Sequence, residues 1–309
     1  MPERLQKLLA RAGHGSRREI ERLIEQGLVT INGKVATLGD HASETDKIEI
    51  RGEPVGVSKV AHFKPRVIAY HKPIGEVCTR DDPEGRPTVF DHLPRMQSSR
   101  WIAVGRLDIN TVGLMLFTND GELANKLMHP SGEIEREYAV RVLGGVDDAM
   151  IRRLLAGVEL QDGRAAFETV DRAGGEGANT WFRVTLKEGR KREVRRLWES
   201  QGVTVSRLMR VRYGPIELER ALKPGRWADL KPREMKQLYA AVGLKYVPPK
   251  TKAGVPGSRP PSTGRPAGRV KGGGDARGGK KSDARRQGRG LRDGGPRKDD
   301  RNPWGRGGK

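Results

Sequence analysis

Between Val67 and Leu230 the chain is a succession of short apolar runs of strand length, and too few helix-length segments separate them for every strand to be followed by a helical crossover. The runs are Val67–Tyr70, Leu114–Thr118, Tyr138–Val142, Phe167–Asp171, Trp181–Leu186, Val203–Val211 and Trp227–Leu230. Helical spacing is confined to Gly121–Met128, Asp147–Ala156, Arg192–Gln201 and Pro232–Val242, the last opening with proline, which the first helical position tolerates. Phe167–Asp171 and Trp181–Leu186 follow one another directly, as do Val203–Val211 and Trp227–Leu230. A parallel pair needs a crossover of a dozen or more residues, usually a helix, so this order predicts an α+β fold on a mixed or antiparallel sheet.

The two ends differ from this middle. Leu5, Leu8, Leu9 and Ala12 share one face of a first helix, closed by Gly13 and Gly15. Ser16-Arg17-Arg18-Glu19 reads as a capping box opening a second helix that runs to Gln26 and buries Ile20, Leu23 and Ile24. Val29, Ile31 and Val35 then bracket Asn32-Gly33, a strong hairpin signal, and Ile48 and Ile50 offer a further strand. At the other end, from Tyr246 on, 18 Lys or Arg face 5 Asp or Glu, and Val255, Val270 and Leu291 are isolated aliphatics. Such a segment cannot bury enough apolar surface to offset chain entropy. The expected organisation is a small module over 1–62, a larger domain over 63–246 and a disordered Gly/Arg/Lys-rich tail over 247–309.

Charge narrows the partners. The formal balance is +21, of which the tail carries 13, so a polyanion is the natural ligand of the chain. No run approaches the ~18 apolar residues of a spanning helix, and the first residues lack a signal-peptide core, which points to the cytoplasm and away from membranes. Cys78 is the only cysteine, which excludes an internal disulfide and a cysteine metal cluster, and the six scattered histidines suggest no metal site. The expectation is a monomer without cofactor.

In the first module, Arg4-Leu5-Gln6-Lys7, the Ala12-Gly13-His14-Gly15-Ser16-Arg17-Arg18 turn and the Gly27–Val35 hairpin resemble the alpha-L RNA-binding motif. The resemblance implies binding to structured RNA by backbone and shape, with Lys7, Arg11, Arg17, Arg18 and Lys34 as candidate phosphate contacts. In the middle domain, Gly105-Arg106-Leu107-Asp108 with Thr111 and Gly113 resembles the signature of ribosomal pseudouridine synthases. His71-Lys72-Pro73-Ile74-Gly75, Arg136-Glu137-Tyr138-Ala139-Val140 and Glu188–Leu197 resemble that family's other motifs. The family often has His-Gln where this chain has Arg192-Glu193, so no role passes to those two residues.

That resemblance implies isomerisation of uridine in RNA. The glycosidic bond breaks, the uracil turns, and carbon 5 joins the sugar. Asp108 is the implied nucleophile or base, attacking the anomeric carbon or removing the neighbouring sugar proton. Arg195 is the implied charge partner that keeps Asp108 ionised, and Tyr138 the ring that holds the detached uracil. Arg106 and Lys72 are candidate RNA contacts, Arg106 beside a uridine that must leave its stack. The implied substrate is 23S rRNA or a large-subunit assembly intermediate. Alternatives are 16S rRNA and a noncatalytic ribosome-assembly protein.

Deleting residues 248–309 removes most of the excess charge and none of the motifs. Filter binding of an rRNA transcript across a salt series is expected to show weaker, salt-dependent binding by the truncated chain, with turnover at saturating RNA retained.

Overall fold

The computed structural model describes residues 2–57, 64–96, 99–175 and 179–248. The expected boundary at 62/63 and the expected tail from 249 onward lie outside the described residues.

The N-terminal module opens with β1 (Glu3–Arg4), α1 (Leu5–Arg11) and α2 (Arg17–Glu25), followed by β2 (Val29–Ile31), β3 (Lys34–Val35), β4 (His41–Ala42), β5 (Ile48–Ile50) and β6 (Glu53–Val55). The capping box forms as expected, with Ser16 Oγ accepting from the Glu19 N–H and Glu19 answering at the Ser16 N–H. Asn32 and Gly33 both adopt positive φ, the requirement of a tight primed turn between β2 and β3. The strands order as β3-β2-β5-β6, and their inner faces join Leu5, Leu8, Leu9, Ile20 and Ile24 in a core of their own. The β1–β4 pair was not expected; two residues are too few to carry a periodic signal.

The larger domain runs β7 (Val67–Lys72), β8 (Ile102–Val104), β9 (Val112–Thr118), α3 (Gly121–Met128), β10 (Arg136–Leu143), α4 (Asp148–Ala156), β11 (Val158–Leu160), β12 (Gly163–Ala165), β13 (Thr169–Gly174), β14 (Asn179–Leu186), α5 (Glu193–Glu199), β15 (Thr204–Tyr213), β16 (Ile216–Glu217), β17 (Trp227–Asp229) and α6 (Pro232–Ala240). Nine strands form one sheet in the order β13-β14-β10-β15-β9-β7-β17, with β16 on β15 and β8 on β9. Every pairing is antiparallel except β9 with β15, so the sheet is mixed as predicted. Alternate residues of the central strands enter different cores: Ile68, Tyr70, Met115 and Phe117 one, Val67, Ala69, Leu114 and Leu116 the other. Burial on both faces explains why these runs read as continuous apolar stretches. One expected strand is displaced: β13 starts at Thr169, while Phe167 is a buried core residue touching the Trp198 ring.

The parallel contact decides where the site lies. One edge of β9 is shared, with Leu116–Thr118 paired to β8 and Val112–Gly113 paired to β15. At that crossing a Cβ on Gly113 would sit 2.3 Å from the Arg210 carbonyl oxygen and 2.7 Å from its nitrogen, and the Gly113 φ is +111°. Only glycine lets β9 and β15 approach so closely. The β8–β9 connection, carrying Arg106 to Thr111, is thereby held against the middle of the sheet. Gly113→Ala is expected to cost about 3 kcal/mol or more, because the clash is with backbone and not with a movable side chain. Urea unfolding of the two proteins measures it.

Candidate active site

Around Asp108 the main chain is unusually well tied. The Asp108 carbonyl accepts from the Thr111 N–H at 3.0 Å, closing the turn. The Leu107 carbonyl accepts from Cys78 Sγ at 3.1 Å, and the Ile109 carbonyl from the Gly75 N–H at 3.0 Å. The Asn110 carbonyl accepts from Arg195 Nη2 at 3.0 Å and the Thr111 carbonyl from Lys72 Nζ at 2.9 Å. Five consecutive carbonyls are therefore engaged, and Asp108 projects half-buried from a turn with little freedom to move.

The turn forms one wall of a cavity of about 700 Å³. Arg106 and Asp108 line it together with Tyr138 of β10, Arg210 of β15 and the basic run Arg190–Arg192 ahead of α5. Tyr138 is 8% exposed, so its ring belongs to the wall and not to the surface. Arg106 is exposed at the mouth. The site residues expected from sequence thus divide clearly. Asp108, Tyr138 and Arg106 line one cavity, and Arg195 stands behind it in α5.

Arg195 reaches the aspartate's turn through the backbone. Its Nη1 donates to the Val205 carbonyl at 2.8 Å and its Nη2 to that of Asn110, two residues beyond Asp108. Among the described residues no ion pair within 4 Å joins it to Asp108. Burial pushes its guanidinium below the usual arginine range, the neighbouring Arg192 adds to that, and the Asp108 charge opposes it. The cation therefore serves the Asp108 turn by anchoring its backbone.

Lys72 occupies a different place from the one expected. Read from sequence as an RNA contact, it is fully buried, with Nζ donating to the carbonyls of Pro73 at 3.0 Å and Thr111 at 2.9 Å and more weakly to Ile109 at 3.4 Å. Burial lowers its pKa, against the opposing charges of Cys78, Glu76 and Asp108. An ammonium consumed by three carbonyls inside the protein is a tie for the turn, not a contact for a phosphate. Beside it Glu76 is buried and accepts from the Tyr70 hydroxyl at both carboxylate oxygens; burial raises its pKa.

Of the remaining expected cations, Lys7, Arg11, Arg17 and Arg18 line a second concavity of about 530 Å³, opposite Arg100 and Ile102 of the larger domain. Lys7 and Arg11 also pair with Glu3, and Lys34 stands exposed on the β2–β3 hairpin, outside both cavities. Two residues of the main cavity escaped sequence reasoning. Arg136 is buried, stacked on Tyr213, with Nη1 donating to the carbonyls of Ile134, Lys187 and Glu188. Arg210 is buried at 2% exposure; its signal is an arginine on the inward register of β15, two positions after Leu208.

This sheet, with an aspartate on a locked turn and a strand tyrosine lining one basic cavity, defines a class. The chain belongs to the RNA pseudouridylate synthase family, whose model matches residues 66–200, and it carries an S4 domain over residues 3–48. The ribosomal large subunit pseudouridine synthase B of Salmonella typhimurium is 60% identical over 257 residues, covering 82% of this chain and 87% of that protein. Its namesake in Escherichia coli (strain K12) matches at the same identity and coverage. A crystal structure of a pseudouridylate synthase superposes with a TM-score of 0.54 at 26% identity, over 76% of this chain and 99% of that one.

Replacing Lys72 by methionine leaves the Pro73 and Thr111 carbonyls without their donor, at an expected cost of about 2–4 kcal/mol. Thermal unfolding checks the stability. A loosened Asp108 turn is expected to lower turnover more than RNA affinity, read by parallel kinetic and filter-binding assays.

Proposed function

We propose that this chain converts one uridine of large-subunit rRNA, 23S in bacterial terms, to pseudouridine in the cytoplasm. The observation that carries the proposal is the Asp108 turn, a carboxylate fixed by five consecutive backbone ties at the wall of a cavity that also holds the Tyr138 ring. The S4 domain and the two large-subunit relatives support rRNA as substrate. Among the described residues no helix is long and apolar enough to cross a membrane.

In this reading a flipped uridine enters the cavity with its anomeric carbon toward Asp108. The carboxylate forms a bond to that carbon, or removes the proton from the adjacent sugar carbon, as the carbon–nitrogen bond breaks and the nitrogen keeps the electron pair. Arg195 holds the aspartate's turn through the Asn110 carbonyl. The Tyr138 ring supports the freed base while it turns, and its hydroxyl is the group proposed to assist removal of the carbon 5 proton. Arg106, exposed at the mouth, holds the flanking phosphate or fills the place the base has left. The second concavity and Lys34 offer phosphate contacts that position the RNA.

The test is incubation of the purified chain with large- and small-subunit rRNA transcripts and assembly intermediates, followed by chemical mapping of pseudouridine. Product confined to small-subunit RNA refutes the large-subunit assignment, and absence of product on every substrate refutes the enzyme. Asp108→Asn is expected to bind RNA within about threefold of the parent and to lower product formation by at least about 10⁴-fold, the scale of losing a covalent nucleophile.

A further inference from the structure

Four cations are buried around the catalytic cavity: Lys72, Arg136, Arg195 and Arg210. Lys72, Arg136 and Arg195 each spend a terminal nitrogen on backbone carbonyls, and in doing so hold a turn or a strand end in place. Arg210 does not fit that pattern. Its Nε donates to the Leu114 carbonyl at 2.7 Å and its guanidinium lies 5.1 Å from the Tyr213 ring centre, both neutral partners. Its Nη2 is buried with no hydrogen-bond partner, the only terminal guanidinium nitrogen in that state among the described residues. No carboxylate lies within ion-pair distance of it among the described residues.

A buried, unmatched charge is costly, and a fold gains nothing from it. Arg210 lies in the wall that holds Asp108 and Tyr138, and it is the cross-strand neighbour of both Tyr138 on β10 and Gly113 on β9. Gly113 is what allows the Arg210 backbone into that position. We infer that Arg210 is a fixed countercharge for the uracil anion formed during the reaction, the negative charge it lacks in the free protein arriving with the chemistry. This rests on the uridine-isomerase reading above.

The charge balance is the same by either route. If Asp108 attacks, its oxygen gains a bond to the anomeric carbon and loses its charge while the departing nitrogen takes the bonding pair. If Asp108 instead takes the sugar proton, it becomes neutral and the same pair leaves with the base. In both, one negative charge passes from Asp108 to the uracil ring and its carbonyl oxygens, and it returns when carbon 5 joins the sugar. A guanidinium fixed in a low-dielectric wall favours the charge-shifted state without having to reorganise.

The test compares the full chain with Arg210→Met and Arg210→Lys on an rRNA substrate that the parent modifies. If the parent forms no pseudouridine, the isomerase reading itself has failed; if the parent is active, the variants address Arg210 alone. Expected for Arg210→Met are a turnover lowered by about 100-fold, a KM within about threefold, and a thermal midpoint equal to or above the parent's. Arg210→Lys keeps the charge and is expected to recover at least about a tenfold share of the loss. Turnover of the Met variant within about threefold of the parent overturns the inference. So does a Met variant that unfolds or loses thermal stability, or a Lys variant no better than Met, because either makes Arg210 a packing residue.

Discussion

Everything at this site depends on one stretch of backbone whose hydrogen-bond acceptors are all occupied. The carbonyls of residues 107 to 111 are met in turn by a thiol, an amide of the same turn, an amide of the β7 loop, a guanidinium and a buried ammonium. The donors come from β7, the loop after it and α5, segments far apart in sequence. The turn therefore cannot relax without disturbing several elements at once, which holds the Asp108 carboxylate rigidly in place. The fold supplies those donors by placing β9 between β7 on one edge and β8 and β15 on the other.

Electrostatically the site is lopsided. Lys72, Arg136 and Arg195 spend terminal nitrogens on carbonyls, Arg210 keeps one unpartnered, and the buried carboxylates Glu76 and Glu193 are occupied by the Tyr70 hydroxyl and the Arg190 N–H and pushed upward in pKa by burial. Asp108 is a half-buried carboxylate in a cavity whose lining is rich in arginine. The arginines and lysines of that lining favour an incoming polyanion without the tail's charge.

Much of this was legible in sequence where the signal is local. The capping box at Ser16–Glu19, the Asn32-Gly33 turn, α3 at its observed limits and the mixed character of the sheet all follow from spacing and residue chemistry within a few positions. The β11–β12 hairpin was missed because its strands are three residues each, although Asp162-Gly163 at its turn is a hairpin signal. Lys72 misled for a different reason. A lysine before a proline at a strand end reads as surface, and only the non-local approach of the Asp108 turn gives its ammonium three carbonyls to satisfy. Arg210 was invisible as a site residue because its meaning lies in what it fails to pair with, which requires the coordinates of every neighbour.

The ties on the Asp108 turn run to main-chain oxygens, and this has a bearing on how such a protein can diversify. Ile109 and Asn110 contribute their carbonyls, not their side chains, to the lock. Either side chain can therefore be exchanged without loosening the carboxylate beside it, provided the new residue accepts the same backbone shape. Sequence change at those two positions is in that sense separable from the lock that holds the carboxylate.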